Sequence, residues 1–223
     1  MCGKYILAEA ARAERAMGIV RGHWDYPRRF RVLPSEQVPV VVQAAGERTA
    51  AQMRWGLVPW WRHGAPLKAS TINATAERLA SAPSYRDAWR RAQRCIFVMG
   101  GFYEPHLNDD GSREQFFVHL ADRAVFGVAG LWERSRRADG TYLASCTLIT
   151  VPANELLARV HNEKPRMPAI LSEAHYDDWL RGPPERALEL LRPYPQQSMR
   201  AWKVSRDVNN PRLPDDARLI EPR

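Results

Sequence analysis

Cysteine is the second residue of the chain, in the opening stretch MCGKY. Methionine aminopeptidase removes an initiator methionine when the next side chain is small, and the side chain of Cys2 is small enough. The chain would then start with a free α-amine and a thiol on adjacent carbons, a pair that no internal residue offers. Because the ordinary pKa of an α-amine is roughly 7.7–8.0, part of it is neutral at pH 7 and can attack a carbonyl carbon. The alternative is that position 2 tolerates most residues.

Three further polar residues lie in surroundings that core packing alone does not explain. Asn73, in STINATAER, precedes a predicted helix and is either a functional side chain or an ordinary helix cap. Glu104 closes an apolar run behind two glycines in GGFYEP. A carboxylate buried there would have a raised pKa and could move protons near neutrality, whereas the alternative is a charge that surfaces at a strand end. His161, in RVHNEKPRMP, follows a predicted helix and is either catalytic or structural.

The basic and aromatic residues favour a polyanionic partner. Lys and Arg total 33 against 25 Asp and Glu, a formal net charge of +8. The simplest partner for such a chain is nucleic acid, and the alternative is the general basicity of an arginine-rich proteome. In LVPWWRHG, Trp60 and Trp61 cannot both face one core, and an exposed Trp beside Arg62 can stack on unpaired bases. The alternative places one ring inside and the other on the surface.

Length and composition argue against several other classes of protein. A chain of 223 residues predicts a single domain, spanning 1–223. The three cysteines are widely spaced and form no CxxC pair, which argues against a disulfide framework and against a structural zinc site. Cys95 and Cys146 lie in apolar runs, and we expect them to be inert core thiols. No apolar run is long enough to span a membrane and no signal peptide is recognisable, so we expect a cytoplasmic protein.

The hydrophobic pattern predicts an α+β fold: a largely antiparallel β-sheet core, curled or barrel-like, with short flanking helices. The predicted strands are VPVVVQ and QMRWGLVP around a turn at Gly46, CIFVMGGFYE as one buried strand, EQFFVHLA, AVFGVAGLWE and YLASCTLITV. The predicted helices are residues 8–17 ended by Gly18, two within 74–92 broken by Pro83, one capped by Asn154, one from a Ser172 cap to Gly182, and ERALELL. Residues 21–36 and the tail from Trp202 are expected to be irregular or extended. Strands and helices do not alternate, which argues against a doubly wound fold.

Short motifs follow one another along nearly the whole chain: MCGKY, RVLPSEQVPVV, MRWGLVPWW, INATAE, RCIFVMGGFYE, GLWE, TLITVPAN, HNEKPRMPAIL and VSRDVNN. In this order they resemble the SOS response-associated peptidase (SRAP) family, the abasic-site processing proteins. No single motif decides the matter, but the combination of N-terminal MCG, GFYE and H…RMP is specific. The resemblance implies the SRAP fold for the chain.

The resemblance also implies a covalent trap for damaged DNA. Family members bind single-stranded DNA and attach to abasic sites through the N-terminal cysteine, and they are regarded as autopeptidases with a role in the SOS response. By similarity, the catalytic residues here are Cys2, Asn73, Glu104 and His161, with no cofactor and no metal. The candidate DNA contacts are Lys4, Trp60, Trp61, Arg62, Arg166, Ser205 and Arg206. The implied protein is a crosslinking enzyme of peptidase class with lyase-like Schiff-base chemistry. We expect a monomer, because nothing in the sequence marks a self-association face, and we expect it in the cytoplasm in association with the nucleoid.

The chain departs from the family pattern at three positions. The family commonly reads INARAE, and here Thr75 stands in place of the Arg. In the family, GFYE is usually followed by Trp, and here Pro105 follows it. The arm commonly carries an Asn in a YNxxP pattern, and here Arg31 stands in its place. These changes concern contacts with DNA more than the chemistry, because the four catalytic residues are present.

Three other functions stay open at this point. In an N-terminal-nucleophile hydrolase, the thiol of Cys2 attacks an amide and its own α-amine is the base. A Cys–His peptidase that uses Cys2 and His161 needs no free α-amine. A non-catalytic single-strand-binding module needs no thiol, so Cys2→Ala would leave its activity unchanged.

Overall fold

The computed structural model describes residues 2–223, and strands account for most of the regular secondary structure in this range. They are β1 (Tyr5–Leu7), β2 (Arg29–Val32), β3 (Gln37–Ala44), β4 (Glu47–Trp55), β5 (Asn73–Thr75), β6 (Arg94–Met99), β7 (Gly101–Leu107), β8 (Arg113–Leu120), β9 (Phe126–Arg136), β10 (Tyr142–Pro152), β11 (Arg166–Pro168), β12 (Ile170–Leu171) and β13 (Met199–Val204). The α-helices are α1 (Ala10–Met17), α2 (Arg86–Arg90), α3 (Glu155–Val160), α4 (Tyr176–Arg181) and α5 (Pro184–Glu189). Single 3₁₀ turns occupy Trp60–Arg62, Ala76–Arg78, Glu173–His175, Gln196–Ser198, Arg206–Asn209 and Ala217–Ile220.

Five strands close into a barrel in the order β10–β4–β3–β6–β9, since β9 pairs with both β6 and β10. Closure leaves none of the five with a free edge. The pairings are antiparallel except that of β10 with β4, which run parallel at Ser145 and Cys146. All six residues of β6 are buried, because α4 packs against this strand while the barrel interior covers the rest. The strand therefore reads as a continuous apolar run instead of an alternating one.

A second antiparallel sheet, β13–β8–β7–β1–β2, joins the barrel through its strand β1. The ring of Tyr5 lies edge-on to Trp55 and Phe97 of the barrel, with centroid distances of 5.3 and 6.5 Å. The next residue, Ile6, faces a separate apolar cluster on the other side of the sheet. This alternation is the two-residue period of a strand. Tyr5 and Ile6 thereby anchor the segment that directly follows Cys2 between the barrel and the apolar cluster on the other side of the second sheet.

The prediction of an α+β fold with a largely antiparallel, barrel-like sheet is confirmed. Helix α1 ends at Gly18 in the left-handed conformation, as a C-terminal glycine permits. Asn154 caps α3 by accepting a hydrogen bond from the backbone N–H of Leu157 at 2.9 Å. Cys95 and Cys146 are fully buried, and burial raises the pKa of both thiols.

The prediction that CIFVMGGFYE forms one strand was wrong, because the run divides into β6 and β7 in different sheets. The chain leaves the barrel at Met99, bends at Gly100 and enters the second sheet at Gly101. A Cβ on Gly101 would lie 2.3 Å from the ring of Phe117 and 2.9 Å from the carbonyl oxygen of Val118, so glycine alone fits there. The residues on both sides of Gly100 are buried and almost all apolar, so the sequence shows no change in polarity at the break.

Other local predictions were wrong in part. Residues 73–75 form β5, so the first helix expected within 74–92 is reduced to the 3₁₀ turn Ala76–Arg78. Ser172 makes no capping hydrogen bond, and its helix starts as a 3₁₀ turn. The segment 21–36 contains β2, and the tail contains 3₁₀ turns after β13. β5 pairs with β10 and β2 pairs with β1, and local sequence does not encode such distant partners.

Candidate active site

Cys2 lies where the barrel meets the second sheet, and its side chain is fully buried. Its carbonyl oxygen accepts a hydrogen bond from Nδ2 of Asn73 at 2.8 Å, and its Sγ lies 3.7 Å from the backbone oxygen of Lys4. Burial raises the pKa of the Cys2 thiol, and the neighbouring Glu104 carboxylate raises it further. The thiol is therefore protonated at neutral pH. Removal of Met1 concerns a residue outside the described range.

Strand β5 fixes the position of Asn73. It runs parallel to β10, with Asn73 opposite Leu148. The hydroxyl of Tyr85 donates a hydrogen bond to the backbone oxygen of Asn73 at 3.1 Å, and the hydroxyl of Thr150 donates to that of Ala74 at 3.3 Å. Asn73 is thus a strand residue held along its backbone, and not the cap of a helix.

Glu104 lies within β7, opposite Phe116 of β8, and is fully buried. Burial raises the pKa of its carboxyl group to about 7, while the ammonium group of Lys4 acts in the opposite direction. A carboxyl group with this pKa is present in both protonation states at neutral pH. Its pKa is therefore suited to general acid–base chemistry near neutral pH. Because the side chain is fully buried, the alternative of an exposed charge at the strand end is wrong.

His161 ends helix α3 and is buried beside Glu104. Its Nδ1 lies 3.6 Å from Oε2 of Glu104 and 3.4 Å from the backbone oxygen of Arg166. Burial lowers the pKa of the imidazole, so the ring is neutral at pH 7. A neutral ring next to a carboxyl group of pKa about 7 can share or relay one proton.

Asn162 clamps the His161 segment to β7, a role that sequence reasoning missed. Its Nδ2 donates to the backbone oxygen of Leu107 at 2.8 Å, and its Oδ1 accepts from the backbone N–H of Leu107 at 3.0 Å. Nδ1 of His106 also lies 3.0 Å from the backbone oxygen of Arg159 in α3. The only sequence signal was an Asn directly after the candidate His.

The 3₁₀ turn Trp60–Arg62 exposes both tryptophans, with 44% of Trp60 and 36% of Trp61 accessible. The alternative with one ring inside the core is therefore wrong. Nε1 of Trp60 donates to Oδ2 of Asp87 at 2.9 Å. The guanidinium of Arg62 donates to two carbonyl oxygens of its own loop, at 3.2 and 3.3 Å. We call residues 60–64 the tryptophan loop.

The start of the chain lies next to the tail segment VSRDVNN, which contains Ser205 and Arg206. Nζ of Lys4 donates to Oδ1 of Asn209 at 2.5 Å. Arg206 is exposed. Ser205 is buried, and its Oγ caps the following turn by accepting from the backbone N–H of Asp207 at 3.1 Å.

Arg166 is already paired with an anion. Its two terminal nitrogens donate to the two carboxylate oxygens of Glu77 at 2.8 and 2.9 Å, and one of them also donates to the backbone oxygen of Thr150 at 2.7 Å. Glu77 lies two residues after Thr75, in the motif that departs from the family pattern. A phosphate that reached Arg166 would have to replace this carboxylate.

Cys2, Asn73, Glu104 and His161 are thus brought together from four separate segments of the chain. Among residues 2–223, no group of three or more His, Cys, Asp or Glu side chains is arranged to hold a metal ion. Over the same range, no helix has both the length and the apolar character that crossing a membrane requires.

The fold is that of an α+β protein in which a closed barrel joins a second antiparallel sheet. A cysteine, a carboxyl group and an imidazole are buried at the junction, and together they could carry out nucleophilic and acid–base chemistry. The family model described as SOS response associated peptidase (SRAP) matches residues 1–211. The chain belongs to the SRAP family.

Named relatives agree with this membership, and solved structures share the fold. The abasic site processing protein YoqW of Bacillus subtilis (strain 168) is 32% identical over 191 residues, which cover 84% of this chain and 84% of that protein. The abasic site processing protein HMCES of Gallus gallus is 29% identical over 75% of this chain and 56% of its own length. A crystal structure of a Bordetella bronchiseptica protein superposes with a TM-score of 0.80 at 29% identity, over 92% of this chain and all of that one. A Bacteroides thetaiotaomicron protein shares the fold over the full length of both chains, with a TM-score of 0.84 at 21% identity.

Proposed function

We propose that this protein processes abasic sites in single-stranded DNA by joining them covalently to Cys2. The observation that carries the proposal is the meeting of Cys2, Asn73, Glu104 and His161 in one buried cluster. Burying several polar side chains together is unfavourable, and perturbed ionisable groups of this kind concentrate at functional sites. The relatives named abasic site processing proteins support the choice of substrate.

The proposed chemistry is that of an aminothiol and an aldehyde. An abasic sugar exists partly in a ring-opened form that carries an aldehyde. The neutral α-amine of Cys2, free once Met1 has been removed, adds to the carbonyl carbon, and loss of one water gives a Schiff base. The thiol sulfur then adds to the imine carbon and its proton passes to the nitrogen, which closes a five-membered thiazolidine. Closure is intramolecular and gains from a high effective molarity.

Glu104 and His161 would carry the protons of this sequence. Dehydration of the carbinolamine needs an acid and activation of the thiol needs a base, and a carboxyl group with a pKa of about 7 can do both. His161, 3.6 Å from that carboxyl group, would protonate or hydrogen-bond the opening sugar oxygen. Asn73 would hold the backbone of residue 2 so that the amine has one orientation.

The surrounding residues would position the strand. Lys4, Arg166 and Arg206 would contact phosphates, with Arg166 exchanging Glu77 for a phosphate, and Ser205 would donate a hydrogen bond to another. The tryptophan loop, with Trp60, Trp61 and Arg62, would stack or wedge near the lesion. Family membership supports a role in the SOS response and autopeptidase activity that exposes Cys2. The protein would act as a monomer in the cytoplasm, on nucleoid DNA.

Amide hydrolysis is the competing function, and burial argues against one form of it. A Cys–His peptidase attacks with a thiolate, whereas burial raises the pKa of the Cys2 thiol. The N-terminal-nucleophile hydrolase differs from our proposal in that it needs no DNA.

A denaturing gel tests the proposal. Protein whose N-terminus has been verified by mass is mixed with single-stranded DNA that carries one abasic site. We expect a band that survives denaturation in the wild type, no band in Cys2→Ala or in a variant extended by one N-terminal residue, and a weaker adduct in Cys2→Ser. Cys146→Ala is the matched control, because it removes another fully buried thiol and should retain the band. A crosslink of wild-type strength in Cys2→Ala would contradict the proposal, and amide turnover without DNA would support the competing one.

A further inference from the structure

A second basic and aromatic surface lies on the hairpin that joins β9 to β10. Arg134, Arg136 and Arg137 are exposed at the end of β9, and Tyr142 is exposed at the start of β10. We call these four residues the hairpin patch. Together with Trp60 of the tryptophan loop they line a depression of about 650 Å³. None of the four belongs to the site described above.

The hairpin patch carries an excess of positive charge, with three arginines against the one carboxylate of Asp139 between them and Tyr142. Within residues 2–223, none of its three arginines forms an ion pair with a carboxylate, in contrast to Arg181, which pairs with Asp177 at 2.9 Å. The carboxylate in the hairpin turn, Asp139, accepts hydrogen bonds from the backbone and hydroxyl of Thr141 and offsets part of the charge of Arg137 without an ion pair. The three guanidinium groups thus leave net positive charge for an external anion.

The aromatic rings identify the kind of anion. Tyr142 is 51% exposed, and the guanidinium of Arg134 lies 4.2 Å from its ring centroid. Trp60 is similarly exposed, with the guanidinium of Arg91 5.7 Å from its centroid. Exposed rings interleaved with guanidinium groups are the usual surface for stacking unpaired bases while contacting phosphates. An acidic peptide or a lipid surface would use the charge but would not need the rings.

The hairpin patch adjoins the tryptophan loop and shares strand β10 with the candidate active site. Oγ of Ser135 accepts from the backbone N–H of Gly64 at 2.8 Å and donates to the backbone oxygen of Trp60 at 3.3 Å, which docks the hairpin on the tryptophan loop. From Tyr142, β10 runs to Leu148, which lies opposite Asn73. Six residues of strand span about 20 Å. The patch and the catalytic cluster are therefore about 20 Å apart on one strand.

We propose that the hairpin patch, together with Trp60, binds the single strand that flanks the lesion and extends the bound segment about 20 Å beyond the catalytic cluster. The choice of DNA as the strand rests on the proposed function. The binding itself is non-covalent and needs no chemistry at Cys2.

Affinity for intact single-stranded DNA tests this proposal separately from crosslinking. The dissociation constant of a labelled oligo-dT of about twenty nucleotides is measured by fluorescence anisotropy at several salt concentrations, in the Cys2→Ala background of the full chain. The test variant is R134Q/R136Q/R137Q. The control variant, R12Q/R15Q/R181Q, removes the same charge from exposed positions of α1 and α4. Thermal unfolding verifies that both variants fold.

We expect the hairpin variant to bind about tenfold or more weakly than the control, with a salt slope smaller by about two, since each phosphate contact on a single strand contributes about 0.7. Tyr142→Ala should weaken binding about fivefold or more through lost stacking. Equal affinities of the hairpin and control variants would overturn the proposal, as would tighter binding of the wild type to a duplex of the same length. Hairpin-dependent binding to phosphatidylserine vesicles but not to DNA would assign the patch to a membrane surface instead. A failure of crosslinking in the gel above would leave this result untouched.

Discussion

At the scale of single residues, the buried carboxyl group of Glu104 makes the stability of the protein depend on pH. Its pKa is about 7 in the folded chain against a reference value of 4.5. Between these two values the folded state binds more protons than the unfolded state, so the free energy of unfolding falls as pH rises. A shift of this size corresponds to about 3 kcal/mol at pH values above 7.

We therefore expect Glu104→Gln to be more stable than the wild type by up to about 3 kcal/mol above pH 7. The difference should shrink as pH falls and vanish near the ordinary pKa of a glutamate, about 4.3. Urea denaturation at several pH values measures it, with Glu185→Gln, exposed on α5, as the control. A Glu104→Gln curve parallel to the wild type at every pH would contradict the burial argument. The same variant should crosslink about 10²–10⁴-fold more slowly, because it cannot transfer a proton.

The residue types of the site could be predicted from the sequence, but their partners could not. Glu104 and His161 stood out because a charge and an imidazole interrupt apolar or helical runs. Asn162 and Glu77 act through contacts with residues 55 and 89 positions away. No local pattern encodes contacts of such separation, so the clamp and the anion on Arg166 had to be seen in the structure.

At the scale of elements, two adjacent glycines redirect the chain from the barrel into the second sheet. A Cβ on Gly100 would lie 3.2 Å from side-chain atoms of Ile6 and from the backbone oxygen of Ala124. A Cβ on Gly101 would lie 2.3 Å from the ring of Phe117, well inside contact distance. The two positions therefore differ in how much the surroundings must move.

We expect Gly101→Ala to lower the free energy of unfolding by about 2–3 kcal/mol through overpacking, and Gly100→Ala by less than about 1 kcal/mol. Urea denaturation of the two variants side by side makes the comparison, each acting as the control for the other. Equal losses would show that Phe117 yields easily and that Gly101 is not required for the packing of β7 beside β8.

Elements whose signals are local were predicted well, and those that depend on distant pairing were not. The Gly18 and Asn154 caps act within a few residues of themselves, so the sequence predicts both. β5 has three residues and exists because β10 offers it an edge. The β6–β7 break was missed because the residues on both sides of the bend are buried, so that no change in polarity marks it.

At the scale of the whole molecule, Arg31 ties the tail to the arm that carries β2. Its side chain is buried, and it donates to the backbone oxygens of Asn210 at 2.8 Å and Leu213 at 2.7 Å. The same tail segment presents Asn209 to Lys4 beside the candidate active site. Arg31, which stands where the family pattern has Asn, thus has a structural role in this chain.

We expect Arg31→Met to destabilise the protein by about 2–3 kcal/mol, because the charge-assisted bonds from its buried side chain to the backbone carbonyl groups of the tail are lost. Limited proteolysis should then cut within residues 205–213 well before the core. Arg28→Met, an exposed position on the same arm, is the matched control and should show neither effect. A tail that stays resistant in Arg31→Met would mean that other contacts hold it.

A barrel-like antiparallel sheet could be predicted from the sequence, but the pair of strands that closes the barrel could not. Alternating and continuous apolar runs with few long helices indicate an antiparallel α+β protein. The parallel contact between β4 and β10 completes the barrel, and it joins residues more than 90 positions apart through two residues of each strand. Asn73 reaches Cys2 because β5 pairs with β10, so the candidate site follows from the tertiary fold.

Identification of the atoms joined to DNA tests the central claim most directly. Protein that is verified to begin at Cys2 is reacted with a single-stranded oligonucleotide carrying one abasic site, digested with nuclease and protease, and analysed by mass spectrometry after thiol alkylation. We expect the sugar remnant on the peptide that begins at Cys2, with the mass of a condensation that releases one water and a thiol that no longer alkylates. A remnant on the side chain of Lys4, or an adduct at Cys2 whose thiol still alkylates, would contradict it.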